Sequence, residues 1–544
     1  MSKTIRSLFL VAVYFLSVSL QARSLDPVEE WQNTNLSVDA LASTISDQNC
    51  KVNLRHYFGC IDALKTLLSF SQEADLDLVP QNAPADSFQS VVQNFSEVKI
   101  VKRQAAVSDG LSQKDLILKF KNDREKNDTL WKQQKVVQFS NIFKNVRALV
   151  PPEKTRAAGA YALNAYLSNA VDAHSYIMSF DAMTNNSQAN KDFVGIGIQA
   201  APHPSGVLIQ SVFEGGPAEE AGLKSRDVIT AVNDQNLTGL KLESAIALIL
   251  GEEGTAISID FIRDQKVIKK TLKRRKISVP NVKVKLLESA ELNAKDLYIK
   301  INSFMPENTC VLVEEALKVN SAAKKVIVDL RNNGGGRVDL VACLAALFLK
   351  PSVTVMTYQD PVTQVTKGGV VAPVVVHSEK RPLVVLVNSN SASASEIFAG
   401  VIQDYSRGFV VGERTFGKGT MQSMAQSQDF LNTIVAFTEA RYHLPSGRSP
   451  QLVGIVPDFA VFESEGESGG ALREEDLYRF PISQGSPIQK PTHPLMSSVE
   501  ACVTGLSGRA PALAPSNEVD RQLEVAQRVL RCQAPVLNKN LTRL

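Results

Sequence analysis

Apolar and polar positions change their rhythm twice along this chain. Over residues 193–275 they alternate in short runs. FVGIGIQA, VLIQSVF, DVITAVND and TAISIDFIR each read as a strand with one buried face. EGGPAEEAGL supplies a turn into a short helix that Gly222 is placed to end. Lys241 to Leu250 is helical, with Leu242, Ala245, Ile246 and Ile249 on one face. The pattern predicts a compact β-rich module over 191–276.

Beyond residue 281 the apolar runs become continuous and alternate with helical stretches. KKVIVDLRNNGGGRVDLVACLAALFL reads as a buried strand, a glycine turn and a helix. PLVVLVNSNSASASEIFAGVIQDY repeats that arrangement with a turn of small residues, and GFVVGERTFGKG adds a strand and a turn bearing one lysine. DLYIKINSF and NTCVLVEEALKVNSA read as a further strand and helix, and the stretch to Pro457-Asp458 as strand, turn and loop. This predicts an α/β unit over 281–460 that draws in residues 150–190, where an Ala-rich helix follows Pro151-Pro152.

The two ends are less sharply patterned. Residues 24–190 read mostly helical, although Leu116, Leu118 and Phe120 alternate as a strand would. In the region 461–544, ESEGESGG reads as a loop and 517–533 as a terminal helix. The basic stretch LKRRKISVP is a solvated connector.

Composition narrows the class. With 544 residues, the chain needs several cores. It has 59 basic and 56 acidic residues, a balance that gives no reason to expect nucleic acid or an anionic membrane surface as partner. Lys3 and Arg6 precede an apolar run from Leu8 to Leu20, which predicts a secretory signal peptide over 1–23 and an exported product with no stable membrane span. Six cysteines suit an oxidising compartment. They permit about 15 pairings, of which pairing between sequence neighbours (Cys50 with Cys60, Cys310 with Cys343, Cys502 with Cys532) is the simplest. None has the spacing of a zinc site, so neither metal nor cofactor is expected. N-x-S/T sequons occur, as at Asn94-Phe95-Ser96.

The candidate chemistry is nucleophilic. A serine needs a base, and a lysine serves as one only when burial favours its neutral amine. Lys418 lies among Thr415, Phe416, Gly417, Gly419 and Thr420, with no acid adjacent in sequence. Ser391, Ser393 and Ser395 compete for the nucleophile, and position alone does not separate them. A strand-to-helix turn exposes one residue at the carboxyl end of a strand. The N–H of Ala394, with Gly335 or Gly336 of the glycine turn, could then hold an oxyanion. His174 and His443 read as packing or loop residues, with no acid placed beside His443 by motif.

Two resemblances follow from these motifs. Gly195-Ile196-Gly197-Ile198 followed by GGPAEEAGLKSRDVITAVN resembles a PDZ domain. There the glycine loop turns backbone N–H groups towards a terminal carboxylate, beside a pocket formed by the helix bearing Leu242, Ile246 and Ile249. SASASEIFAGVIQDY, VVGERTFGKGTMQ, DLRNNGGG and LPSGRSPQLVGIVPD together resemble the carboxyl-terminal processing (tail-specific) proteases over roughly residues 150–460; VDAHSYIM also fits, with Ala173 where that family more often has Pro. The resemblance implies a multidomain α+β chain with a helical N-terminal region, a PDZ-like domain, an α/β (crotonase/ClpP-like) Ser-Lys protease core and a partly helical C-terminal region. It implies Ser393 as nucleophile, Lys418 as base and Gln422 to orient the amine, with Glu396, Asp404 and Thr415 as supports. It further implies an exported (in a two-membrane bacterium, periplasmic) endopeptidase acting on proteins with apolar C-termini, with an adaptor or a second copy of the chain as further partners. The alternative is a catalytically silent scaffold that binds peptides through the PDZ module.

Overall fold

A computed structural model describes the chain from residue 31 to 541. Several internal stretches fall outside the description, chiefly 81–87, 104–138, 182–192, 463–472, 483–489 and 508–519. The expected signal peptide and the alternation at Leu116–Phe120 therefore lie outside the described residues.

The central sheet has six strands. Val282–Glu288 pairs antiparallel with Lys295–Ile301 at one edge, and parallel strands follow in the order Lys325–Asp329, Leu383–Val387, Phe409–Gly412 and Phe459–Ala460. The strands Lys325–Asp329 and Leu383–Val387 are buried throughout, because both faces are covered. Val326 and Val328 point to a core that includes Val341 and Phe398 from the helices Val338–Phe348 and Ala394–Asp404. Ile327, Val384 and Leu386 point the other way, onto Val499, Ala526, Val529 and Leu530. Those last residues lie on the helices Met496–Ser507 and Arg521–Leu541, joined by the Cys502–Cys532 disulfide. The C-terminal region thus supplies the second layer of the sheet.

A second, five-stranded sheet lies against the first. Its order is Thr366–Val371, Thr354–Gln359, Thr433–His443 and Thr420–Gln426, with Tyr176–Ser179 also pairing with Thr433–His443. All its pairings are antiparallel. The strands Thr354–Gln359 and Thr366–Val371 have no counterpart in the sequence reading, since their alternation is short and their burial mixed.

The PDZ-like module begins and ends side by side. Phe193–Gly195 pairs antiparallel with Arg275–Ile277, so the chain enters and leaves through one short ribbon. Between them, five strands run in the order Lys266–Lys273, Ala256–Arg263, Val228–Val232, Gly206–Val212 and Ile198–His203, and Gln235–Asn236 adds to Val228–Val232. The helix Leu242–Ile249 covers this sheet, with Ala245 and Ile249 in a core shared with Ile209 and Phe261.

The N-terminal region is helical around the packed pair Leu54–Leu68 and Thr155–Ala170. It also holds a three-stranded antiparallel sheet, Leu76–Pro80, Val98–Arg103 and Phe88–Asn94, which a mostly helical reading did not contain. All six cysteines are paired, as Cys50–Cys60, Cys310–Cys343 and Cys502–Cys532. Among the described residues, no helix is long and apolar enough to cross a membrane, and no cluster of His, Cys, Asp or Glu could hold a metal.

Candidate active site

Two adjacent parallel strands, Lys325–Asp329 and Leu383–Val387, end at the same level and turn into helices. Their turns are stitched together. Asn332 Oδ1 accepts from the side-chain amides of Asn388 and Asn390 at 2.8 and 3.0 Å. Asn333 O accepts the Ala392 N–H at 3.0 Å.

This stitching separates the three serines. Ser391 Oγ donates to Leu330 O at 2.9 Å, and Ser395 Oγ donates to Asn333 O at 2.8 Å. Both hydroxyls are spent on fastening one turn to the other. Ser393 alone stands at φ +54°, a backbone region that costs a non-glycine residue of order 1–3 kcal/mol. It caps the helix Ala394–Asp404 and is 2% exposed.

The glycine turn fits against this serine. A Cβ on Gly335, at φ +103°, would lie 3.0 Å from Ser393 Cβ and 2.9 Å from Ala394 N. A Cβ on Gly336, at φ +144°, would lie 2.4 Å from the Phe304 carbonyl carbon. Only glycine lets the two turns approach so closely. The expectation of Gly335 as oxyanion donor needs correcting, because its N–H donates to Asn333 Oδ1 at 2.9 Å. Gly335 acts as a spacer. The Ala394 N–H opens a helix, where a first-turn amide has no intrahelical acceptor, and Gly336 follows Gly335 at the same turn.

Glu396 joins the serine turn to the lysine loop. Its carboxylate is fully buried and accepts from Ser393 N–H at 2.7 Å, Thr415 Oγ1 at 2.5 Å, Gly417 N–H at 2.8 Å and Lys418 N–H at 2.9 Å. Burial pushes this carboxyl up to about 7, against the pull of those donors. The sequence reading gave Glu396 a supporting role only. The signal for more was available: Ser393-Ala394-Ser395-Glu396 is the S-x-x-E of a capping box. Thr415 hydroxyl also accepts from Ile455 N–H at 2.6 Å, so it holds the loop on a second side. Asp404, at the far end of the same helix, ion-pairs Arg448 at 2.9 Å and anchors the LPSGR turn.

Lys418 is 4% exposed and donates through Nζ to Gln422 Oε1 at 2.6 Å. Gln422 Nε2 donates in turn to Thr420 and Thr438 hydroxyls at 3.0 and 3.3 Å, and Thr438 donates to Asp172 at 2.9 Å. The ladder between the strands Thr420–Gln426 and Thr433–His443 shifts register at Met421/Gln422. Such a bulge re-aims side chains. Burial pushes the Lys418 amine down to about 8, opposed by the charges of Glu474, Glu396 and Asp172. Tyr442 hydroxyl donates to the Lys418 carbonyl and reaches the Ser393 carbonyl at 3.4 Å, a further link between the two loops.

The remaining predicted residues fall elsewhere. His443 bonds Gly447 O within its own turn at 3.0 Å. His174 is buried against Glu474, 3.0 Å away, an acid from the C-terminal region that the sequence reading missed. Gly195 to Ile198 forms the loop leading into the strand Ile198–His203. Ile196 and Ile249 pack into the core of the PDZ-like module, Ile246 is buried and Ile198 half-buried, while the side chain of Leu242 is outside the description.

The fold and this arrangement define a class: an α/β domain with a serine at a strand-to-helix turn and a buried lysine on a loop joined to it through Glu396, carrying a small β-rich module. Residues 295–461 match peptidase family S41, and residues 208–263 match the PDZ domain. The chain therefore carries an S41 peptidase domain preceded by a PDZ domain. It is 30% identical over 290 residues to a probable CtpA-like serine protease of Staphylococcus aureus (strain bovine RF122 / ET3-1), covering 53% of this chain and 56% of the relative. A probable CtpA-like serine protease of Staphylococcus haemolyticus (strain JCSC1435) is 27% identical over 321 residues, covering 58% of this chain and 62% of the relative. The chain thus spans somewhat more than half the length of these curated relatives. Among solved structures, a photosystem II D1 C-terminal processing protease aligns with a TM-score of 0.44 at 24% identity, over 64% of this chain and 93% of the other.

Proposed function

We propose that the chain is an exported serine endopeptidase that takes hold of protein C-termini through its PDZ domain and cleaves by a Ser-Lys dyad. The observation that carries this reading is the Glu396 clasp. It fastens Ser393, strained at a strand-to-helix turn, to a buried lysine whose amine burial brings down to about 8, so that a fraction of it is neutral and able to take a proton near neutral pH.

In this mechanism Ser393 Oγ attacks the scissile carbonyl, and its proton passes to Lys418 Nζ. Gln422 holds the amine at 2.6 Å and fixes its direction. The oxyanion is taken by the Ala394 and Gly336 amides. The Lys418 ammonium returns the proton to the leaving amine as the C–N bond breaks. Water then hydrolyses the acyl-enzyme by the same route in reverse. Ser393 and Lys418 are 2% and 4% exposed, so the dyad is shielded from bulk water. Three disulfides with no free cysteine support an oxidising compartment and hence export.

The test uses the full chain and an unfolded protein with an apolar C-terminus. Cleavage is expected, with loss of at least about a thousandfold in Ser393→Ala and in Lys418→Ala. Absence of cleavage by the wild type leaves the silent PDZ scaffold, and cleavage by either variant at the wild-type rate refutes the dyad. Blocking the substrate's terminal carboxylate by amidation is expected to raise KM more than it lowers kcat.

A further inference from the structure

Glu474 lies beyond the S41 match, on the short helix Glu474–Leu477. It is fully buried in a socket built by three segments of the core. Its Oε1 accepts from Gln451 Nε2 at 2.5 Å and lies 3.0 Å from His174 Nε2, and its N–H donates to Phe416 O at 3.1 Å. Gln451 turns its other amide atom to the lysine loop, accepting from Gly419 N–H at 2.8 Å. The second oxygen of Glu474, Oε2, is buried without a hydrogen-bond partner. A buried carboxylate left in that state is costly unless a cation stands near it.

His174, 3.0 Å from Oε1, can supply positive charge only when protonated, and the ammonium that bears on Glu474 is that of Lys418, on the loop that Glu474 and Gln451 fasten through Phe416 and Gly419. Among the charges that attract its amine, Glu474 comes first, ahead of Glu396 and Asp172. The other two are already committed. Glu396 spends both oxygens on three backbone amides and Thr415, and Asp172 accepts from His174 N–H, Ser175 and Thr438. Tyr442 hydroxyl is kept neutral by burial, and Arg441 lies on the neighbouring strand in register with Thr420.

We propose that Glu474 is a positioning residue of the peptidase site, its uncommitted carboxylate oxygen supplying the counter-charge to the ammonium that forms when Lys418 takes the proton of Ser393. This rests on the dyad reading above. The proton stays on Lys418 Nζ until it passes to the leaving amine, and Glu474 neither accepts nor donates it. The role parallels that of the aspartate behind the histidine in a Ser-His-Asp triad, which stabilises the cation without being protonated. It also assigns a task to the C-terminal region, since the S41 domain by itself lacks this charge.

The test is the pH dependence of Ser393 acylation by a fluorophosphonate probe, in the full chain, for wild type, E474Q and E474D. Removing the negative charge leaves the ammonium uncompensated, so the amine deprotonates at lower pH. The acid-limb midpoint of E474Q is expected about one pH unit below that of the wild type, with a lower plateau rate. E474D keeps the charge and is expected to keep the midpoint. Thermal unfolding of each variant separates this from loss of fold, and E474A with added formate, expected to regain the wild-type midpoint, serves where E474Q does not fold. An unshifted midpoint in folded E474Q, an equal shift in E474D, or unfolding of every neutral variant beside an unchanged E474D overturns the proposal in favour of a purely structural acid. If the wild type is not labelled at Ser393, the dyad reading itself falls. If it is labelled and E474Q is unshifted, only the role of Glu474 falls.

Discussion

The unit Lys325–Phe348 and the unit Leu383–Asp404 lie side by side in one parallel sheet, and each passes from a buried strand through a turn into a buried helix. The first makes its turn with glycines at positive φ, where no side chain would fit. The second makes it with a serine at φ +54°, and a buried glutamate from the following helix holds that serine in place. The first unit is shaped by what it omits and serves as a mould. The second keeps a hydroxyl in a strained position and therefore needs an external clasp. Strain at a functional turn persists only when surrounding contacts over-determine it, and here those contacts also reach the lysine loop.

Breaking the clasp should have the largest effect. Glu396→Ala leaves the amides of Ser393, Gly417 and Lys418 buried without their acceptor. We expect peptide cleavage to fall by at least about a hundredfold and stability by about 3 kcal/mol, since each buried unpaired donor costs about 1–3 kcal/mol before relaxation. Steady-state kinetics and urea unfolding measure the two. A variant that loses stability but cleaves normally would separate the clasp from catalysis.

The second prediction concerns the base. With the Lys418 amine at about 8, the neutral fraction falls as pH drops below that value. Cleavage of a small substrate should therefore rise about tenfold per pH unit up to about pH 8 and then level off. A profile that is flat from pH 6 to 9, with acylation rate-limiting, would exclude Lys418.

At the mould the loss should fall on folding and on the oxyanion donor, not on the titration of the base. Gly336→Ala places a methyl 2.4 Å from the Phe304 carbonyl carbon at φ +144°, so stability should fall by about 2–4 kcal/mol while the folded fraction keeps its pH profile. The smallest effect is expected at the fastening serines. Ser391→Ala and Ser395→Ala should each cost about 1 kcal/mol, the usual net value of a buried hydrogen bond, and leave Ser393 reactive. If Ser391→Ala or Ser395→Ala abolished labelling, the assignment of roles within the serine turn would be wrong.

Much of this architecture was legible in the sequence. The buried strands Lys325–Asp329 and Leu383–Val387 stood out because parallel strands covered on both faces are continuous apolar runs. The PDZ-like strands stood out by their alternation. The S-x-x-E spacing could have revealed Glu396 as a cap, yet its bonds to Gly417 and Lys418 span 21 and 22 residues and leave no local trace. Position alone left Ser391, Ser393 and Ser395 open and only the family resemblance pointed to Ser393, because the hydrogen bonds that set Ser391 and Ser395 apart reach Leu330 and Asn333, some sixty residues away. Gly335 was misjudged as a donor for a similar reason: its amide is captured by a side chain two residues back, which a glycine run does not disclose. Glu474 was missed because its 300-residue separation from His174 and its weakly patterned surroundings hide the contact.

The most direct test of the central claim is to treat the full chain with a fluorophosphonate probe at pH 8.5 and locate the adduct by peptide mass spectrometry, in wild type and in Lys418→Ala. The account predicts one adduct, on Ser393, formed at least about a hundredfold more slowly without Lys418. An adduct on Ser391 or Ser395, or labelling of Ser393 at an undiminished rate in Lys418→Ala, would contradict it.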